Sequence, residues 1–273
     1  MPHSPDVQIG QILLRLQYQR LAQRGIAVPL TDVEFSCHSQ NGEDGILLYI
    51  FSLIGATNRR VLEICAGDGI ECNAANLIVN HGWQGLLFDG DPANIARGQS
   101  HYATVRTTWV SPPRLVHAWL TADNVASLAA QHGFTGPVDL LSLDLDGNDY
   151  WILNALTNVD PRVIVVEFNA ACGPDQSVSM SYVADYRLDL TVQPYRCGAS
   201  LPAFVKLLKG RGYRLVGVQS LGFNAFFVRD GLGEELLPER SPEECYAQNA
   251  RLRDWSAPWA DTILSGGERW EDV

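Results

Sequence analysis

Arg60 to Asp91 reads RVLEICAGDGIECNAANLIVNHGWQGLLFDGD, and this stretch decides the fold. Val61 to Ile64 is a short apolar run of strand type. Cys65-Ala66-Gly67-Asp68-Gly69 is a turn of small residues that lets backbone approach a ligand. The pattern predicts a helix over Cys72 to Asn80, stopped by Gly82, and a second strand over Gly85 to Phe88. That strand delivers Asp89-Gly90-Asp91, so an acid stands 20 positions beyond Gly69. A β-α-β unit of this layout is a nucleoside-binding half-domain, with the acid placed to accept hydrogen bonds from ribose hydroxyls. A dinucleotide fingerprint needs G-x-G-x-x-G; here its first position is Cys65 and its last Ile70, which argues against pyrophosphate.

Glu63-x-Cys65-x-Gly67-x-Gly69 resembles the E-x-G-x-G-x-G motif of class I S-adenosylmethionine (SAM) methyltransferases, with Cys in the first glycine's place. Upstream, Ser39-Gln40-Asn41-Gly42-Glu43-Asp44 resembles the S-Q-x-G-E-D segment of FkbM-type methyltransferases. The two motifs stand in the family's order, and the resemblance spans Phe35 to Arg229. It implies SAM as cofactor, with Glu63, Cys65, Gly67 and Gly69 at the methionine end and Asp89, or Asp91 beside it, at the ribose. It also implies that Gln40, Glu43 and Asp44 close over the cofactor from the opposite side. The residues alone leave a second reading open, in which Ser39 or Asn41 caps the helix begun by Ile46-Leu47-Leu48-Tyr49-Ile50-Phe51.

The remaining chain alternates helix and strand. Pro92 to Gln99 and Asn124 to Gly133 read as helices. Ala103 to Trp109, rich in Thr and Val, reads as extended, and Val110 to Ala122 as a loop. Val138 to Leu143 and Val163 to Val166 are continuous apolar strands, the second following a helix that Pro161 is expected to end. They deliver Asp144 and Asp146, then Glu167 and Asn169. Tyr213 to Val218 and Ala225 to Val228 are too close in sequence for a parallel crossover and must form an antiparallel hairpin. The expected fold is therefore α/β and Rossmann-like: a mostly parallel seven-stranded sheet with a C-terminal antiparallel hairpin and helices on both faces, as in class I methyltransferases.

Around this body (35–230), residues 1–34 read as a helical cap and 231–273 as a charged tail containing Trp255, Trp259 and Trp270. In Asp6 to Arg24 the apolar positions Val7, Ile9, Ile12, Leu13, Leu16 and Leu21 suggest a face that covers the sheet edge or meets another subunit. The segment Ala170 to Arg196 is long and polar, and is assigned to substrate contact.

Methyl transfer requires alignment of an acceptor and removal of its proton. Asp144 and His38 are the candidates for that help. Asp144, Asp146, Glu167 and Asn169 together offer hard oxygen ligands of the kind Mg²⁺ takes, resembling the arrangement of catechol-type O-methyltransferases. The resemblance implies O-methylation of a sugar or natural-product hydroxyl, in secondary metabolism. Another SAM reaction (intramolecular displacement or aminocarboxypropyl transfer) and a non-catalytic scaffold of the same fold are the alternatives. A formal charge of −11 disfavours nucleic acid and anionic membranes as partners. The resemblance implies a small-molecule or glycoside acceptor, and the apolar face of the N-terminal helix leaves a homo-oligomer open. Six cysteines without metal spacing, with no signal-peptide pattern, point to the cytoplasm.

Overall fold

The computed structural model describes residues 5–189, 191, 197–256 and 270–273. Eight named helices are described: α1 (Pro5–Gln23), α2 (Glu43–Ile54), α3 (Ala75–His81), α4 (Pro92–Tyr102), α5 (Val125–Gln131), α6 (Asp149–Ala155), α7 (Leu201–Lys209) and α8 (Pro242–Gln248). The strands are β1 (Arg60–Ile64), β2 (Gln84–Asp89), β3 (Arg114–His117), β4 (Gly136–Leu143), β5 (Val159–Glu167), β6 (Val178–Met180), β7 (Tyr213–Val218), β8 (Asn224–Arg229) and β9 (Trp270–Asp272).

Seven strands form one sheet in the order β3-β2-β1-β4-β5-β8-β7. The pairs from β3 to β5 are all parallel, whereas β8 runs antiparallel to both β5 and β7. This is the α/β, Rossmann-like class I methyltransferase fold with its closing hairpin. The order reverses between β1 and β4, which leaves a crevice at the carboxyl ends of those strands. The central strands are mostly apolar on both sides because each of their faces is covered. Leu62, Leu141 and Ile164 pack with Ile152 and Phe204 on one side; Val61, Leu140 and Val163 pack with Ile46, Leu47 and Ile78 on the other. A second, two-stranded sheet pairs β6 with β9, so the segment expected to be loop throughout contains a strand.

Several boundaries depart from the sequence reading. The expected strand at Ala103 to Trp109 is instead the turn that follows α4 and a 3-10 turn at Arg106–Thr108. There the Thr108 hydroxyl donates to the carbonyls of Tyr102 and Val105, a local bond that competes with strand pairing. The third strand lies in the stretch read as loop, where Arg114–His117 pairs along β2. Pro161 lies inside β5 and terminates no helix. It sits opposite Val138 of β4, but β8 joins β5 only from Val163 onward, so the missing N–H breaks no ladder on that side. Trp259 and part of the 170–196 segment lie outside the described residues.

Of the two placements open to the apolar face of α1, covering the sheet edge or facing another subunit, the first is not what the helix adopts. Gln11 and Tyr18 are its buried residues. The Gln11 amide exchanges hydrogen bonds with the Asn76 amide (2.9 and 3.1 Å) and meets His81 Nε2, while Tyr18 packs edge-on against Tyr49. Ile9, Ile12, Leu13 and Leu16 point outward.

Asp139, wholly buried in β4, holds the α2–β1 connection. It accepts hydrogen bonds from the backbone N–H of Thr57, Asn58 and Arg59 and from the Thr57 hydroxyl, and lies 3.3 Å from Arg162 Nε. Replacement by Ala leaves those donors unpaired and the guanidinium, still bonded to Ile54 O, without its counter-charge. Asp139→Ala should therefore cost roughly 3–5 kcal/mol in urea unfolding; a loss below about 1 kcal/mol counts against the clamp.

Candidate active site

The carboxyl ends of β1, β2, β4 and β5 open on a cavity of about 730 Å³, whose lining includes Cys65, Gly67, Asp89, Asn94, Asp144, Asp146, Glu167 and Asn224. The turn after β1 alternates left-handed residues, with φ of +63° at Cys65, +58° at Gly67 and +70° at Gly69. An added Cβ at Gly67 would meet open space, whereas one at Gly69 would lie 2.8 Å from Leu87 Cδ1. The first glycine thus faces the cavity and the second serves core packing. Cys65 adopts a conformation that glycine takes freely.

Two buried acids shape this turn. Glu63 does not line the cavity; its carboxylate accepts the N–H groups of Asn73 (2.9 Å) and Ala74 (2.7 Å) and so fixes the approach to α3. Asp89 does line it. Its Oδ2 accepts Gly67 N–H at 2.9 Å, and its Oδ1 accepts Asp91 N–H and the Asn94 amide. Asp91 is exposed, caps α4 through Ala93 N–H and is absent from the lining. Asn94, unremarked in the sequence, holds Asp89 in place.

A smaller recess adjoins the cavity at Cys65 and Asp89, lined by Phe88, Gly90, Ala118, Trp119, Leu145 and Tyr186. The Trp119 indole lies against Gly90, where a Cβ would come within 2.8 Å of the ring, and its Nε1–H donates to Ala184 O at 2.7 Å. Arg187 stacks over the same ring at 4.7 Å. Asn148 Nδ2 donates to Val183 O. The segment around 183–187 thus straps the loops after β3 and β4 together above the recess. Trp119 and Tyr186 carried no motif, so periodicity alone had no means of finding them.

The 36–44 segment is organised by its own acids. Asp44 Oδ2 accepts the N–H groups of Cys37, His38 and Ser39, and the Ser39 hydroxyl accepts Asp44 N–H. Burial pushes the Asp44 carboxyl up to about 6. Glu43 accepts Asn41 N–H and the Asn224 amide, each at 2.9 Å, and is buried away from the cavity surface. Gln40 and Asn41 do line the cavity. The His38 ring does not: its Nδ1 lies 3.3 Å from Ile70 O, and burial lowers its pKa.

Across from Asp89, one oxygen each of Asp144, Asp146 and Glu167 lie within 4.8 Å of one another. Burial raises Asp144 to about 6, and burial with Asp144 beside it raises Glu167 well above the usual carboxyl range. Asp146 is raised by burial and sits at φ +56°. Behind them Asp149, pushed to about 7 by burial, accepts Leu145 and Gly147 N–H and fixes the β4–α6 loop. Asn169 joins the lining, but its Oδ1 accepts Ala171 N–H and its Nδ2 donates to Cys197 O. No Lys, Arg or His is among the described lining residues, so nothing basic in the wall offsets the acids.

No family model matches the chain, and no curated protein does. Among solved structures it is similar to an O-methyltransferase from Bacillus cereus in complex with SAH, with 17% identity, coverage of 84% of this chain and 93% of that one, and a TM-score of 0.45. It is also similar to the N-terminal domain of EvdMO1 with SAH bound, with 18% identity, 78% and 94% coverage, and a TM-score of 0.44. A third is magnesium protoporphyrin IX methyltransferase from Synechocystis PCC 6803 with bound SAM, with 14% identity, 69% and 78% coverage, and a TM-score of 0.43.

Carboxyls whose folded pKa is raised make the native state bind more protons than the unfolded chain, so stability falls as pH rises through that interval. For Asp144 and Asp149 the interval runs from the ordinary 3.8 to about 6 and about 7. The ligand-free protein should therefore melt higher at pH 5 than at pH 7.5, allowing for other titrating groups by repeating the comparison in Asp144→Asn. An equal pH dependence in wild type and variant removes Asp144 from this account.

Proposed function

We propose that this chain is a SAM-dependent methyltransferase acting on a hydroxyl of a small molecule, a sugar or natural-product glycoside. The observation that carries the reading is the meeting, in one cavity, of the left-handed Cys65–Gly69 turn, the Asp89 carboxylate and a second group of acids across from them.

SAM, when bound, supplies a methyl group on a sulfonium centre. Asp89 Oδ2 keeps capacity to accept a ribose hydroxyl while its other bonds hold the Gly67 turn. Gly90, Ala118, Trp119 and Leu145 form an apolar slot of the kind a purine ring fills. Gln40 sits on the far wall. Glu43 and Glu63 act one layer back, fixing the loops that shape the cavity. His38 faces the Ile70 carbonyl and is left out of the chemistry. Asp144 is the group for proton removal: it lines the cavity, and burial lifts its carboxyl to about 6, toward the range that suits a general base. A wall of acceptors without basic partners favours neutral or cationic acceptors and disfavours phosphorylated or carboxylated ones.

The same carboxylates fit a divalent cation, since three hard oxygen donors cluster where burial makes their mutual repulsion costly. Asp144, Asp146 and Glu167 would hold Mg²⁺, which would lower the pKa of an acceptor hydroxyl. Asn169 has its amide committed to backbone partners and would at most share its oxygen.

Calorimetry with SAM or S-adenosylhomocysteine tests the cofactor: Asp89→Ala should weaken binding roughly ten- to a hundred-fold, the loss of a charged hydrogen-bond partner. Unchanged affinity in a folded variant removes Asp89 from the ribose. With an acceptor found by screening, a product heavier by one methylene distinguishes methyl transfer from aminocarboxypropyl transfer. Activity lost in EDTA and restored by Mg²⁺ supports the cation; undiminished activity leaves the acids with proton transfer alone.

A further inference from the structure

The outer face of α1 is apolar and uncovered: Ile9, Ile12, Leu13 and Leu16 expose 55, 44, 61 and 44% of their surface. The helix is not free to turn this face inward, because Gln11 and Tyr18 on its inner side are tied to Asn76, His81 and Tyr49. We propose that this face pairs with the same face of a second copy of the chain, the two α1 helices running antiparallel about a two-fold axis at Leu13.

The register follows from charge. Asp6, Leu13 and Arg20 are spaced seven residues apart and so lie on one line along the helix, an acid at one end and a base at the other. Each stands about 10.5 Å from Leu13 at 1.5 Å per residue. An antiparallel two-fold through Leu13 sets Leu13 against its own copy and brings each Asp6 to the partner's Arg20 twice over. A parallel pairing sets Asp6 on Asp6 and Arg20 on Arg20. The flanking Ile9, Ile12 and Leu16 fill the seam on either side. This is the self-complementary patch that a two-fold interface requires. Pro5–Gln23 also holds two arginines and one aspartate in a chain of charge −11, so the helix is a place where two acidic bodies meet with little repulsion.

Sedimentation equilibrium of the full chain tests the pairing. Wild type should sediment as a dimer at tens of micromolar, and Leu13→Glu as a monomer with unchanged melting temperature and circular dichroism. Asp6→Arg or Arg20→Asp alone should weaken association by about tenfold, and the double exchange should restore it. Leu13→Cys should form a reducible covalent dimer that wild type does not. A monomeric wild type, a dimer that survives Leu13→Glu, or a double exchange weaker than either single one overturns the proposal. Pelleting of wild type with phosphatidylglycerol vesicles in place of self-association also overturns it, and gives the face to a lipid surface.

Discussion

The loops at both ends of the parallel strands hold their shape because buried carboxylates collect main-chain amides. Asp139 gathers residues 57–59, Glu63 gathers 73 and 74, Asp89 gathers 67 and 91, Asp44 gathers 37–39, and Asp149 gathers 145 and 147. A buried carboxylate is costly unless donors surround it, and N–H groups of an irregular segment are costly unless accepted. Each acid resolves both costs together and thereby selects one loop conformation. Asp144 and Glu167 differ, facing each other across less than 4.8 Å in the cavity lining, and so remain the acids available to something that enters.

The cavity wall opposite Asp89 is built by segments distant in sequence. Glu43 holds the Asn224 amide, Gln219 donates to Asn41 O, and Ser220 donates twice to Glu34. The hairpin after β7 thus supports the loop before α2. Change in either alters the cavity without touching the Asp89 end.

Much of this was legible in the chain. The β1–turn–β2 unit, the terminal hairpin and the acids at the strand ends follow from apolar runs, small residues and connection length, all of them local. Position within the sheet was not local. Arg114–His117 is a four-residue edge strand between prolines and charges, too short for a periodic signal, while Thr-rich 103–109 satisfied its hydroxyls in a turn. Helix α1 shows the same limit: its stripe was visible, but the inward side was chosen by the Gln11–Asn76 amide pair, whose members lie 65 positions apart. The motif positions Glu63 and Glu43 were visible too, yet their partners show them bracing loops from behind. Trp119 and Tyr186 reach the recess only because the strap folds back over two loops.

The strand order also constrains how the molecule emerges during synthesis. β8 lies between β5 and β7 although it is made last of the three, so the outer edge of β5 has no partner until residues 224–229 have left the ribosome. Until then a central, apolar strand presents open hydrogen-bonding groups, the condition under which nascent chains pair with one another. The short β7–β8 connection answers this kinetically. The hairpin closes through contacts near in sequence, then docks as one preformed piece, so a single step seals the sheet.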